Sequence, residues 1–281
     1  MEKSQDRIEI LEKIKLHEKN GWFDKDVEND PPFEPLKPGD VDYLRKKLSS
    51  KIKNKYCNYL LKKFTDKQIK NHNAILKEIV GIEKLNGLKS GAMVTSNHFN
   101  PFDSFPIRQM LRDLDKKKKL HMVIGEHNYS GGQGFYGFLF RNQNTLPLAQ
   151  NKELMMQCYR AVDYYLKKGD WVLIYPEQAM WWNYRKPRPL KEGAFRFAVK
   201  SNVPIIACMI TMQDSEYVGN DGFFVQEYTL HILDVLYPDE KLNAKENIAM
   251  LKARNEELMK QKYEEVYGIK LSYDTEDGDN R

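Results

Sequence analysis

A chain of 281 residues with 41% hydrophobic and 30% charged residues is long enough to bury a core and too apolar to be intrinsically disordered. Its net charge of +5 is mild and suits an anionic membrane surface, nucleic acid or an anionic substrate equally well. The three cysteines, Cys57, Cys158 and Cys208, lie far apart in no paired spacing, which argues against a disulfide framework and a zinc site.

The pattern of apolar residues argues against insertion into a membrane. No stretch approaches the roughly 20 apolar residues that span a bilayer, and the longest candidate, Val203 to Met212, has the length of a strand. The N-terminus is charged from residue 2 onward and lacks the apolar region of a signal peptide. We expect a cytoplasmic protein without a transmembrane segment, which meets the membrane only at its inner face.

Composition divides the chain into three parts. Residues 1–80 predict a helical N-terminal extension, residues 81–268 an α/β domain, and residues 269–281 an acidic tail that frays. Within the extension, four prolines between positions 29 and 40 predict an extended linker. Residues 41–64 predict a helix, because apolar residues recur there at three- and four-residue steps.

The predicted helix over residues 41–64 is amphipathic and strongly basic. It carries eight Lys and Arg residues against a single acid, Asp42. Its apolar stripe consists of Val41, Leu44, Leu48, Ile52, Tyr56, Tyr59, Leu60 and Phe64. Two compatible interpretations follow. The stripe packs on the core while the basic faces are solvated, or the helix lies on an anionic bilayer, where each Lys or Arg contributes about 1 kcal/mol.

The domain between residues 81 and 268 alternates short runs of Val, Ile and Leu with helical windows. This alternation is typical of an α/β fold with a mostly parallel central sheet flanked by helices. Towards its end, residues 208–235 predict a hairpin that turns at Gly219 to Gly222. A last helix is expected from Ala244 to Tyr267, ending at Gly268.

A histidine and an aspartate lie five positions apart in the segment SNHFNPFDSF, directly after a predicted strand. Loops at the carboxyl ends of strands in open α/β sheets bind ligands. Asp103 falls near the N-terminus of the next helix, where a carboxylate stays ionised and can orient an imidazole. No Ser or Cys nucleophile stands in a recognisable elbow. His98 is therefore a candidate general base for a substrate hydroxyl, and the alternative is a capped, non-catalytic pair.

Four blocks stand in order along the chain: Asn97-His98 to Asp103, Gly134 to Leu148, Tyr175 to Met180, and Val203 to Ile206. In this order and spacing they resemble the blocks of the glycerolipid acyltransferases, the lysophosphatidate acyltransferase-like family. Those blocks read roughly N-H-x4-D, G-x-x-F-I-x-R, F-P-E-G-T-R-S and V-P-I-x-P. The resemblance covers about residues 85–236, and the ordered set is far more specific than any single block.

The resemblance implies an O-acyltransferase of the 1-acylglycerol-3-phosphate type, with a role in phospholipid biosynthesis. His98, oriented by Asp103, would take the proton of a lysolipid hydroxyl, and the alkoxide would attack the thioester of an acyl-CoA or acyl-carrier protein. No covalent enzyme intermediate and no cofactor besides this acyl donor are implied. Acceptor contacts are expected from Asn97, Glu177 and Gln178 by the same resemblance.

The chain departs from the family where phosphate is bound. The arginines that close the second and third blocks fall at Gln150 and Met180, and the glycine of the third block falls at Gln178. Since Arg reads phosphate bidentately, a phosphate acceptor needs replacement cations. The candidates nearby are Arg141, Arg185, Lys186 and Arg188. The alternative is an acceptor with a larger or uncharged headgroup, such as a lysoglycolipid.

Two other functions are compatible with the same residues. A lipid-binding protein on an acyltransferase fold would explain the loss of both arginines, and thioesterase-like hydrolysis would use the same His-Asp pair. His121 and His127 flank a predicted strand, but they do not lie on the same face of it, and the sequence offers no third metal ligand. We therefore expect no metal. No motif supports nucleic-acid binding. The expected partners are a lysolipid, the acyl donor and an anionic membrane surface.

Overall fold

The computed structural model describes residues 2–29 and 32–273. Its helices are α1 (Gln5–Lys19), α2 (Leu48–Lys70), α3 (Ser104–Leu114), α4 (Glu126–Ser130), α5 (Gly134–Asn142), α6 (Lys152–Lys167), α7 (Gly193–Ser201) and α8 (Ala244–Tyr267). Its strands are β1 (Ile75–Val80), β2 (Ala92–Thr95), β3 (Leu120–Gly125), β4 (Thr145–Leu148), β5 (Trp171–Ile174), β6 (Ile205–Val218) and β7 (Phe224–Leu236). Most of the predicted acidic tail, residues 274–281, lies outside the described residues.

The described strands form one sheet in the order β1-β7-β6-β2-β5-β3-β4. Strand β2 lies at its centre and pairs parallel with β5 on one side and β6 on the other. Strands β3, β4 and β5 continue the parallel arrangement, and β1 pairs parallel with β7. The hairpin β6–β7 is antiparallel and turns between Val218 and Phe224, as predicted. The predicted fold class, a mostly parallel sheet flanked by helices, is confirmed.

Both faces of the sheet are covered, which explains why the short central strands read as unbroken apolar runs. Leu154, Phe195 and Leu251 bring α6, α7 and α8 into the core on one face. Ile107 and Met110 bring α3 into the core on the other. All five side chains are fully buried, and each such burial stabilises the fold by about 1.5–3 kcal/mol.

Local signals at both ends of α8 fix the last helix where it was predicted. Asn243 and Glu246 form a reciprocal capping box at its start. Gly268 ends it with a φ of 69°, a left-handed conformation that glycine adopts without steric cost. In the middle of the helix, the buried Asn255 accepts a hydrogen bond of 2.6 Å from the hydroxyl of Thr95. The helix is thus tied to the end of β2, where the loop with His98 begins.

The helix predicted over residues 41–64 begins and ends later, at Leu48–Lys70. Asp42 precedes the helix, and its carboxylate accepts hydrogen bonds from the backbone N–H groups of Lys46 and Lys47. Arg45 breaks the helical path with a φ of 47°. Tyr43 is buried, and its hydroxyl donates to a β4 carbonyl at 2.8 Å. Anchoring to the domain therefore overrides the apolar periodicity of the first seven residues.

The boundary predicted at residue 80 also needs correction. Residues 75–80 form β1, an edge strand of the main sheet, so the extension is helical only as far as Lys70. The described part of the proline-rich linker contains turns but no helix or strand.

Helix α2 leaves most of its apolar stripe uncovered. Leu48, Ile52, Tyr56 and Tyr59 are between 52% (Tyr59) and 72% (Leu48) exposed. Within α2 only Cys57 is buried. The interpretation that these four side chains pack on the core is therefore wrong. None of the described helices combines the length and apolar character needed to cross a bilayer.

Candidate active site

The loop that carries the histidine leaves the carboxyl end of β2 and is pinned at once to the neighbouring strand β6. The side-chain amide of Asn97 donates to the carbonyl of Ile210 at 2.9 Å, and its oxygen accepts from the N–H of Ile210 at 2.8 Å. Asn97 is 2% exposed. Its predicted role as an acceptor-binding residue is not what the structure shows, because its amide is occupied by β6. Asn97 fixes the backbone from which His98 extends.

His98 and Asp103 form the predicted pair. Nδ1 of His98 lies 2.6 Å from Oδ2 of Asp103, and the side chains are 22% and 3% exposed. The same carboxylate oxygen accepts the backbone N–H groups of Phe99 at 3.2 Å and Asn100 at 3.4 Å. A carboxylate at Nδ1 makes that nitrogen the donor, which leaves Nε2 as a proton acceptor. This is the tautomer that a general base requires.

Tyr175, the first residue after β5, contacts both members of the pair. Its ring stacks on the His98 ring with centroids 4.1 Å apart and planes inclined by 7°. Its hydroxyl donates to Oδ1 of Asp103 at 2.5 Å. Burial, followed by the charge of Asp103, raises the pKa of Tyr175 well above its usual range, so the hydroxyl stays protonated and acts as a donor. Sequence analysis placed this residue in a family block but gave it no role.

Glu177 and Arg188 form a buried ion pair that holds the main chain of His98. Their side chains lie 2.8 Å apart and are 2% and 1% exposed. Glu177 accepts the N–H of His98 at 3.0 Å, and Arg188 donates to the carbonyl of the same residue at 3.1 Å. Neither side chain lines the cavity beside His98. In this structure both side chains position the main chain of His98, and their contact with an acceptor stays a prediction.

The other three candidate cations are also engaged elsewhere. Arg141 donates to two backbone carbonyls in the segment before α5. Arg185 pairs with Asp214 at 2.9 Å, and the buried Lys186 pairs with Glu18 at 2.8 Å. None of them lines the cavity beside His98. The anion site that these residues were predicted to rebuild is not formed by the residues that the structure describes.

A cavity of about 770 Å³ opens beside His98 and Asp103. Apolar side chains from several elements line it, namely Met122, Ile124, Phe140, Leu148, Ile174 and Phe197. The chain segment after α1 contributes Asp24, Asp26, Glu28 and Asn29 to the same wall. The N-terminal extension is therefore part of the site. Sequence analysis missed this contribution, because no local signal relates these residues to a loop about 70 positions away.

Carboxylates outnumber cations on the cavity wall, and one of them, Glu28, pairs with Arg7 at 2.8 Å. Lys191 is the only Lys or Arg lining the cavity among residues 2–29 and 32–273, and it pairs with Asp24 at 2.7 Å. The hydrogen bond from Lys191 lowers the pKa of Asp24. Of the two positions where the family blocks carry arginine, Met180 lines the cavity and Gln150 does not. No group of His, Cys, Asp and Glu within these ranges is arranged to hold a metal ion.

Gln178 is the one predicted acceptor residue that does line the cavity. It takes the place of the block's glycine and adopts a φ of 69°, in the left-handed region. A residue with a Cβ costs about 1–2 kcal/mol there. Strain of this kind persists at functional sites, where the side chain has a use that offsets the cost. The exposed side chain of Gln178 is thus held at the cavity wall at the expense of stability.

Comparison with known proteins shows the family to which the chain belongs. A family model described as Acyltransferase matches residues 69–211, just over half of the chain, and this match contains His98, Asp103 and Tyr175. The chain belongs to this acyltransferase family, and the predicted relation to glycerolipid acyltransferases is confirmed. Its fold is similar to that of a 1-acyl-sn-glycerophosphate (LPA) acyltransferase, PlsC, from Thermotoga maritima. The TM-score is 0.54 at 19% identity, over 78% of this chain and 83% of the other. No curated protein matches this chain.

The strain at Gln178 leads to a paired test of stability and activity. We expect Gln178→Gly to raise the free energy of unfolding by about 1 kcal/mol, because glycine relieves the left-handed backbone. The same change removes an amide from the cavity and should raise the KM for the acceptor. Thermal unfolding and acyl-transfer kinetics measure the two effects.

Asn202 provides the matched control, since it is exposed, has a φ of 49° and ends α7 away from the cavity. Asn202→Gly should leave the kinetics unchanged. An acceptor KM that is equal in Gln178→Gly and wild type would show that the amide of Gln178 does not contact the acceptor.

Proposed function

We propose that this acyltransferase moves a fatty acyl chain from an acyl thioester to a hydroxyl of a lysolipid, with His98 as the general base. The observation that carries the proposal is the 2.6 Å contact between Nδ1 of His98 and Asp103 at the wall of a cavity of about 770 Å³. A cavity of this size accommodates a lipid-sized ligand, and much of its wall is apolar.

In the proposed reaction, His98 accepts the proton of the acceptor hydroxyl and later returns it to the leaving group. Nε2 of His98 takes the proton of the acceptor hydroxyl while the oxygen attacks the thioester carbonyl. The carbon–sulfur bond then breaks, and the imidazolium returns its proton to the leaving thiolate. Asp103 stabilises the imidazolium between these steps. Holding both substrates in line supplies a large share of the rate. The thioester is that of acyl-CoA or an acyl-carrier protein.

The charges on the cavity wall favour an acceptor whose headgroup carries no phosphate monoester. Gln150 and Met180 stand where the family blocks carry arginine, and Lys191 is neutralised by Asp24. Carboxylates outnumber cations on this wall, and a carboxylate accepts hydrogen bonds from hydroxyl groups but repels a phosphate. A lysoglycolipid fits this wall better than lysophosphatidate.

Mass-spectrometric acyl transfer tests both parts of the proposal. The donors are palmitoyl-CoA and palmitoyl-acyl-carrier protein, and the acceptors are lysoglycolipids, lysophosphatidate and other lysophospholipids. We expect transfer to a lysoglycolipid to exceed transfer to lysophosphatidate by about tenfold, which corresponds to about 1.4 kcal/mol. His98→Ala should lose on the order of a thousandfold in rate, because the base is removed.

His72→Ala is the matched control, since His72 is exposed after the end of α2, stacks on Tyr217 and does not line the cavity. It should retain turnover. Equal rates for His98→Ala and wild type would refute His98 as the base. Faster transfer to lysophosphatidate would refute the choice of acceptor, and full-rate thioester cleavage without any acceptor would identify a hydrolase instead.

We also propose that the protein binds an anionic membrane through a surface formed by α2 and α5, here called the α2–α5 face. It consists of the exposed side chains of Leu48, Ile52, Tyr56, Tyr59, Phe135 and Tyr136. Phe64 joins the two helices, with its ring centroid 5.4 Å from Phe135 and 6.0 Å from Tyr136. Phe140 of α5 lines the cavity, so the face adjoins the route that a lipid would take. Exposed apolar surface flanked by lysines suits the headgroup region of a bilayer.

Sedimentation with liposomes tests the membrane proposal. Binding should require anionic lipid and weaken with salt, because each Lys near the headgroups contributes about 1 kcal/mol. Reversal of Lys46, Lys47 and Lys51 to Glu should abolish most of the binding. The control reverses Lys241, Lys245 and Lys260, three exposed lysines in or just before α8, which changes the net charge equally on a helix that packs against α7, β6 and β7. Equal losses in both triple variants would refute the α2–α5 face.

A further inference from the structure

Tyr175 contacts the two members of the His98–Asp103 pair with different parts of its side chain. Its ring lies flat on the imidazole, 4.1 Å away, and its hydroxyl donates to Oδ1 of Asp103 at 2.5 Å. The other carboxylate oxygen receives Nδ1 of His98 at 2.6 Å. Two strong hydrogen bonds therefore share the charge of one buried carboxylate.

We propose that Tyr175 is a positioning residue that sets the basicity of His98, with its hydroxyl drawing charge from Asp103 and its ring fixing the plane of the imidazole. The inference rests on the proposed role of His98 as the base. A carboxylate that accepts a second strong hydrogen bond stabilises the neighbouring imidazolium less. The matching family block begins with phenylalanine, so the hydroxyl is an addition in this chain.

The other charged groups around the pair are unchanged by the substitution of Tyr175. The buried Arg108 and the hydroxyl of Ser104 both act on the Tyr175 hydroxyl and partly offset the rise of its pKa. Glu177 and Arg188 contact only the main chain of His98 and neutralise each other at 2.8 Å. The cavity facing the ring is lined by the titratable groups Asp24, Asp26, Glu28, His127 and Lys191. Tyr159 is a further titratable residue on this wall.

A second tyrosine in the chain stacks on a histidine that is paired with an aspartate. Nε2 of His121 lies 3.2 Å from Asp170, and the ring of Tyr165 stacks on His121 at 3.6 Å. The hydroxyl of Tyr165 donates to the carbonyl of Tyr43 at 2.9 Å and not to the aspartate. This trio lies at the amino ends of β3 and β5, away from the cavity. Tyr165→Phe thus removes the same atom from a similar setting without changing a carboxylate.

The test compares Tyr175→Phe with Tyr165→Phe by following histidine imidazoles through a pH titration in ¹H–¹⁵N NMR. The signals of His98 are those missing from His98→Gln. We expect Tyr175→Phe to move the titration midpoint of His98 to higher pH by about half a unit, because Asp103 then holds more charge against the ring. Tyr165→Phe should leave it unchanged.

Steady-state kinetics provide a second readout. The acid limb of the kcat profile should move to higher pH in Tyr175→Phe with KM unchanged. Half a pH unit corresponds to about a threefold loss of rate on that limb. A purely structural role would instead lower the thermal stability and change kcat equally at every pH.

A His98 midpoint that stays at the wild-type pH in Tyr175→Phe, or moves to lower pH, overturns the inference. The NMR titration needs no turnover, so a wild-type protein that transfers no acyl chain would refute the proposed function separately. If Tyr175→Phe does not fold, the inference is tested on the wild-type protein by the ¹H chemical shift of the Tyr175 hydroxyl. A short hydrogen bond to Asp103 should place the hydroxyl proton of Tyr175 far downfield in the ¹H spectrum, and its absence there overturns the inference.

Discussion

The buried carboxylate of Asp103 accepts four hydrogen bonds, and the arrangement of the whole site follows from them. Two come from the backbone N–H groups of Phe99 and Asn100, which close the loop around the carboxylate. The other two come from the His98 imidazole and the Tyr175 hydroxyl, which arrive from β2 and β5. A charge that is 97% buried is tolerated only when it is satisfied in this way. The carboxylate therefore joins the ends of two strands of the sheet and fixes the imidazole of His98 between them.

Much of the fold was predictable because its signals are local. The alternation of strand and helix patterns led to the mostly parallel sheet, and the residues at both ends of α8 fixed that helix to the residue. The spacing of His98 and Asp103 was also informative, because a carboxylate five positions away can return to the imidazole only across a tight turn. Pro101 lies within that turn.

The remaining features depend on contacts between distant parts of the chain, which periodicity cannot reveal. Tyr43 anchors residues 41–47 to β4, more than 100 positions away, and so delays the start of α2. Glu177 and Arg188 carry the charges expected of acceptor contacts, yet they are buried against the main chain of His98. Residues 24–29 reach the cavity only because α1 packs onto the domain. In each case the sequence shows the residue itself, but it does not show which distant residue that side chain contacts.

The rate of acyl transfer by Asp103→Asn tests most directly whether this carboxylate organises the base. An amide keeps the size of the side chain but accepts hydrogen bonds on one atom only, so it cannot serve both His98 and Tyr175. It also favours the wrong imidazole tautomer. We predict a loss of kcat on the order of a thousandfold or more, with cooperative thermal unfolding retained. A kcat within about tenfold of wild type, equivalent to less than about 1.4 kcal/mol of transition-state stabilisation, would contradict the central role of Asp103.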